Sequence, residues 1–148
     1  MNLSAKSLAD PELANAIIQR VSDQGIPAHF LTFEITESAL VVDLPSALAT
    51  ISRLRLKGYG IAIDDYGTGF SSMQQLSRFP FSELKIDRYF VDGAPMREHL
   101  QSILKSAIDM GQRLGISTVA EGVETQAELQ LLKRLGCKQA QGLSLIHI

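Results

Sequence analysis

Asp64 and Asp65 stand side by side where the alternating run "GIAID" meets the glycine-rich "YGTGFSS". Adjacent carboxylates repel when both ionise, so the pair needs either full solvation in a turn or a cation held between them and other ligands. Further polar residues recur where other β-rich runs end: Glu34 and Glu37 in "FEITES", Lys85 and Asp87 in "LKID", Glu121 and Glu124 in "AEGVE", with Asn2 and Gln141 at the margins. So many carboxylates beside one lysine cannot converge in a cleft without cations. Oxygen ligands, one cysteine and no paired histidines select a hard divalent ion, Mg²⁺ or Mn²⁺, over zinc or copper. His29, His99 and His147 show no ligand spacing. Two such ions would clamp a phosphoryl oxygen, generate a hydroxide and stabilise the leaving oxygen, which is phosphodiester chemistry. Lys85 is then either the fixed cation near the attacking water or scissile phosphate, or simply the ion-pair partner of Asp87. Gly67 and Gly69 permit a tight turn with positive φ, so the loop can present ligands and leave room for substrate.

The elements that must position these groups alternate between short β-rich runs and amphipathic helices, a pattern of parallel strands joined by crossover helices. Strands are expected over 31–36, 60–64, 83–91, 117–122 and 138–142. One helix is expected to start at Asp10-Pro11 and stop at Gly25. A second carries Leu48, Ile51 and Leu54 and stops at Gly58. A third buries Leu100, Ile103, Leu104, Ala107 and Ile108 and ends near Gly115, and a fourth opens on the capping box Thr125-Gln-Ala-Glu128 and ends near Gly136. Strand alternation separates Lys85 and Asp87 from Leu84 and Ile86, Asp64 from Ile61 and Ile63, and Glu34 from Phe33 and Ile35. In a parallel barrel the polar parity would line the lumen at its C-terminal mouth. Glu121 fits less cleanly, because it shares its parity with apolar Val119.

With 148 residues, 45% of them hydrophobic, the chain can bury the core of one ordinary domain. A net charge of -2 offers no broad basic field for a nucleic-acid polymer or an anionic membrane. The single cysteine, Cys137, excludes an internal disulfide and suits a reducing cytoplasm. No apolar run approaches the roughly 18 residues of a membrane span.

The motifs "NLS" (2–4), "FEITES" (33–38), "IAIDDYGTGFSS" (61–72), "LKIDRYFV" (84–91), "VAEGVET" (119–125) and "QG" (141–142) resemble, in that order, the EAL-domain phosphodiesterases of bacterial cyclic-di-GMP signalling. The resemblance implies a TIM-like barrel, two Mg²⁺ or Mn²⁺ ions, and hydrolysis of cyclic di-GMP to linear pGpG by in-line attack of water. It implies metal ligation by Asn2, Glu34, Asp64, Asp65 and Glu121, and a Lys85 that orients or activates the water with Gln141 close by. Glu37 would anchor the glycine loop, and Asp87 and Glu124 would be supporting acids. Set against the roughly 250 residues of a whole barrel, residues 1–142 are expected to be the C-terminal portion of such a domain, without the Glu-Ala-Leu segment. Residues 143–148 are expected to be an atypical tail. Turnover is expected from the full-length parent, as a homodimer, and little from this segment alone. The alternative is a non-catalytic module that binds cyclic di-GMP or another protein.

Overall fold

The computed structural model describes residues 1–67 and 76–142. Gly69 and the tail 143–148 lie outside the described residues. The chain divides into two compact units, and the division falls inside a strand, between Asp64 and Asp65.

The first unit takes in Met1–Asp64 and, among the described residues, Leu76 to Ser82. Strand β1 (Thr32–Thr36) pairs in parallel with β2 (Gly60–Tyr66), with Phe33 opposite Ile61, Glu34 opposite Ala62 and Thr36 opposite Asp64. Asn2 bridges Glu34 on the other side of β1. Phe33, Ile35, Ile61 and Ile63 are essentially sealed from solvent, so one parity of each strand is committed to the core. The helices are α1 (Ala5–Leu8), α2 (Leu13–Asp23), α3 (Glu37–Val42) and α4 (Leu44–Leu56). Helix α2 begins later than Asp10-Pro11 because the Asp10 carboxylate accepts the Glu12 N–H at 2.9 Å and makes a turn ahead of the first helical residue. Asp43 caps α4 by accepting the Ser46 N–H, and Gly58 follows its end with φ 92°. Its buried face is Ala47, Thr50, Ile51 and Leu54, with Leu48 only half-buried.

The second unit holds Asp65 to Gly67 and the chain from Glu83 onward. Strands β3 (Glu83–Ile86), β4 (Ser117–Ala120) and β5 (Gln139–Ala140) pair in parallel, and helices α5 (Arg88–Val91), α6 (Glu98–Leu114) and α7 (Gln126–Leu135) cover one face. The core joins Ile86 and Ala120 to Leu100, Leu104 and Ile108 of α6 and to Leu129 and Leu132 of α7. Each of the Leu and Ile side chains contributes about 1.5–3 kcal/mol by leaving water. Ile103, expected on that face, is 40% exposed. The run 83–91 is not one strand: β3 stops at Ile86, because Asp87 accepts the Tyr89 N–H at 2.7 Å and so caps α5. The expected capping box is present on α7, and Gly115 and Gly136 end α6 and α7 in the left-handed region. Gly111 sits mid-helix because a Cβ there would overlap the Thr118 Cγ2 methyl of β4. Among the described residues no helix is long and apolar enough to cross a membrane.

Candidate functional site

Register partners in a parallel ladder point to the same face. In the second unit Lys85 lies opposite Val119 and Val119 opposite Gln139, so the polar parity of β3 continues across β4 and β5. The ladder runs past the strand ends: the Glu121 N–H donates to the Ile86 carbonyl at 3.0 Å and the Gln141 N–H to the Ala120 carbonyl at 2.8 Å. Glu121 and Gln141 therefore extend the Val119 and Gln139 positions on the Lys85 face. The shared parity of Glu121 and Val119 is what delivers the glutamate to the lysine.

Lys85 Nζ lies 2.6 Å from Glu121 Oε1, with the two side chains 9% and 23% exposed. This is a short charge-assisted contact in a largely desolvated place, where it is much stronger than a surface ion pair. Asp87 is used as the cap of α5. Beyond the pair opens a cleft of about 430 Å³ bordered by Arg88, Glu121, Gly122, Glu124, Gln141 and Gly142. Arg88 bonds Glu124 at 3.1 Å across the cleft rim, both side chains well exposed. Gly122 has φ +64°, and a Cβ there would sit 2.5 Å from the Arg88 stem. At Gly142 a Cβ would lie 2.7 Å from the Val123 carbonyl carbon and 2.8 Å from its nitrogen, with the carbonyl oxygen nearer still. Only glycine can follow Gln141 while the Val123 N–H bonds the Gln141 carbonyl at 3.1 Å.

Glu128 is buried behind this loop. Burial alone would raise its carboxyl, but N–H bonds from Glu124, Thr125 and Gly93 and the Thr125 hydroxyl hold it below the ordinary carboxylate value.

Two further residues of the acidic pair's loop belong to this unit. Asp65, at φ 55°, is the one non-glycine residue in the left-handed region among the described residues. That conformation breaks the strict up-and-down alternation of β2 after Asp64. Gly67, at φ 98°, lies over the Phe90 ring, whose Cε2 would be 2.8 Å from an added Cβ.

In the first unit Asn2, Glu34 and Ala62 are register neighbours, and Asp64 is two residues beyond Ala62. Asn2, Glu34 and Asp64 thus share one face of three adjacent segments and offer oxygen donors only, the chemistry of a hard divalent cation. Among the described residues no three His, Cys, Asp or Glu side chains converge as a metal-binding group. Glu37, buried at 4% exposure, is the first residue of α3.

Sequence reasoning did not single out Arg88, whose stretch it read as strand, or the closeness of Gly142 to Val123. The capping-box spacing revealed Glu128, though nothing in that spacing reveals its bond to Gly93, which is remote in sequence.

The family model described as EAL domain matches residues 1–147. The chain is 38% identical over 141 residues to the cyclic di-GMP phosphodiesterase RocR of Pseudomonas aeruginosa, covering 95% of this chain and 36% of RocR. Among solved structures it is similar to the MucR phosphodiesterase in complex with c-di-GMP, with TM-score 0.91 and 38% identity, over 99% of this chain and 59% of that one. It is also similar to Klebsiella pneumoniae BlrP1 in complex with manganese and cyclic di-GMP, with TM-score 0.89 and 30% identity, over 97% of this chain and 37% of that one. The chain thus spans about a third of the length of RocR.

Proposed function

The chain belongs to the EAL-domain family, and from that premise we propose that residues 1–142 are the C-terminal portion of a cytoplasmic phosphodiesterase domain that hydrolyses cyclic di-GMP to linear pGpG. The observation that carries the reading is the Lys85–Glu121 pair, 2.6 Å apart with Lys85 buried and Glu121 half-buried, on the face that also bears the Gln141 position and opens into the cleft. Lys85 supplies a fixed positive charge where a phosphodiester and an attacking water must meet, and Glu121 holds the ammonium in place. Gln141 offers an amide that can hydrogen-bond and orient that water. Attack by the water forms one P–O bond as a ring P–O bond breaks, and the leaving oxygen takes up a proton, which opens the cyclic dinucleotide to pGpG. Asn2, Glu34, Asp64, Asp65 and Glu121 are the residues proposed to hold two Mg²⁺ or Mn²⁺ ions. Bound, these ions would polarise the phosphoryl oxygen and neutralise developing charge. Asp87 and Glu124 support the site through the α5 cap and the Arg88 contact, and Glu37, buried at the first position of α3, is the residue proposed to anchor the glycine loop.

The test is hydrolysis of cyclic di-GMP with Mg²⁺ or Mn²⁺ by the full-length protein, by this chain alone, and by Lys85→Ala in each. Turnover by the full-length protein that Lys85→Ala abolishes is the expected result, with little from the isolated chain. Tight binding of cyclic di-GMP without pGpG in either would replace the enzyme by a receptor module. Sedimentation of the full-length protein tests the homodimer proposed with it.

A further inference from the structure

We infer that Glu128 is a positioning residue for the Lys85–Glu121 pair, a role that rests on the catalytic reading above. Glu128 makes its hydrogen bonds to neither member of the pair, and it caps a helix none of whose residues borders the cleft. Its carboxylate nevertheless reaches the two loops that leave the strands bearing Lys85 and Glu121. Oε2 accepts the N–H groups of Glu124 at 3.0 Å and Thr125 at 2.9 Å, both in the loop after β4. Oε1 accepts the Gly93 N–H at 3.4 Å, in the turn that follows β3 and α5.

An ordinary capping box needs only the bond to the N-cap N–H, here Thr125. The bonds to Glu124 and Gly93 are additional, and the second joins loops that the box does not involve. Gly93 stands at φ 70°, and its turn is gripped from the opposite side by Gln101, whose amide donates to the Ala94 and Pro95 carbonyls at 3.0 and 3.2 Å. The turn is therefore a fixed point, and Glu128 ties the Gly122–Thr125 loop to it. That loop in turn receives Gln141, through the Val123 N–H to the Gln141 carbonyl and the close seat of Gly142. Beyond the Glu121 N–H to Ile86 bond that closes the ladder, the side-chain link between the two loops among the described residues is the Arg88–Glu124 pair, which is exposed and contributes little on its own. Losing the Glu128 carboxylate would free the β4 loop to drift from the β3 loop, and with it the separation of Glu121 from Lys85.

Glu128→Gln tests this in the full-length protein. An amide presents a donor where one of the N–H groups needs an acceptor, so the double grip fails while size and helix propensity are kept. Thr125→Ala is the companion variant: it removes the hydroxyl that caps α7 and touches the Glu128 carboxyl, and leaves that carboxylate its three backbone N–H donors at Gly93, Glu124 and Thr125. Hydrogen exchange at the amides of Gly93, Glu124 and Thr125 reads the tie directly and does not depend on turnover. The expected result is faster exchange at Gly93 as well as at Glu124 in Glu128→Gln, and unchanged exchange at Gly93 in Thr125→Ala. In steady-state hydrolysis of cyclic di-GMP, well below the melting temperature, kcat of Glu128→Gln is expected to fall by about tenfold to a hundredfold, the scale of an ångström misplacement. KM should hold within about twofold, and Thr125→Ala should keep its kcat. If both variants lower the melting temperature alike and leave kcat unchanged, Glu128 is a helix cap only and the inference is overturned. If the wild-type protein makes no pGpG, the catalytic reading fails, and the exchange result still decides whether Glu128 ties the loops.

Discussion

Replacing Gly142 by alanine separates the support of Gln141 from the chemistry of Gln141. Gly142 is not among the glycines with positive φ, so the penalty comes from collision and not from backbone conformation. The added Cβ would meet the carbonyl carbon of Val123 at 2.7 Å and its nitrogen at 2.8 Å, closer than real Cβ atoms come. These are backbone atoms, so no rotamer change relieves the overlap, and the segments must part by roughly an ångström to reach van der Waals separation. Parting breaks the two hydrogen bonds that hold the segment, Gln141 N–H to Ala120 at 2.8 Å and Val123 N–H to the Gln141 carbonyl at 3.1 Å. At about 0.5–1.5 kcal/mol net for each bond, the loss is about 1–3 kcal/mol. For a chain of this size that lowers the melting temperature by about 2–12 °C. Because Gln141 and the Glu121 loop move together, kcat for cyclic di-GMP in the full-length protein should fall by up to about a hundredfold. Thermal unfolding followed by circular dichroism and a pGpG assay at 25 °C measure both effects. An alanine variant that melts within about 1 °C of wild type and keeps its kcat would show that the Val123 contact does not constrain this segment.

At Gly111 alanine should destabilise, although glycine to alanine inside a helix ordinarily gains about 1 kcal/mol. The collision is with the Thr118 methyl alone among side chains, so Thr118→Ser in the same chain should restore most of the loss, and stabilisation by Gly111→Ala alone would contradict the close approach of α6 to β4. For pH the sign follows from Glu128, whose carboxyl is held below its ordinary value in the folded chain. The stability it contributes is fully present above the unfolded value of about 4.3 and is lost as pH falls through the lower folded value. The gap in unfolding free energy between wild type and Glu128→Gln should therefore narrow as pH falls from 7 to about 3, and a gap independent of pH would refute the assignment.

The alternation of β-rich and amphipathic segments was enough to read the parallel α/β class, because burial leaves a period-two mark on strands such as Phe33-Glu34-Ile35 and helix ends leave Gly58, Gly115 and Gly136. Boundaries were less legible where a side chain competes for the backbone. Asp87 turns a continuous apolar run into strand, cap and helix, and Asp10 delays α2 by bonding Glu12. At the candidate site, periodicity alone did not show how Glu121 fits. Its parity with Val119 looked like an apolar face, and only the register against Lys85 shows that this face bears the ammonium. Ile103 failed for a related reason, since spacing marks a helical stripe but not the edge at which the neighbouring elements stop covering it. The ties through Gly93 and Val123 join positions far apart in the chain, which no local pattern encodes.

The left-handed backbone at Asp65 also bears on how this site can change under mutation. Asparagine and glycine, the residues besides aspartate that adopt this conformation most readily, are each one base change away from an aspartate codon. Both would keep the shape of the strand end and remove the charge. Asp64 precedes this bend, so its replacement carries no such bias toward residues that preserve the backbone. A lineage drifting at position 65 would thus lose its carboxylate before it lost its fold, and its descendants could persist as well-folded proteins with the strand end intact and the acid gone.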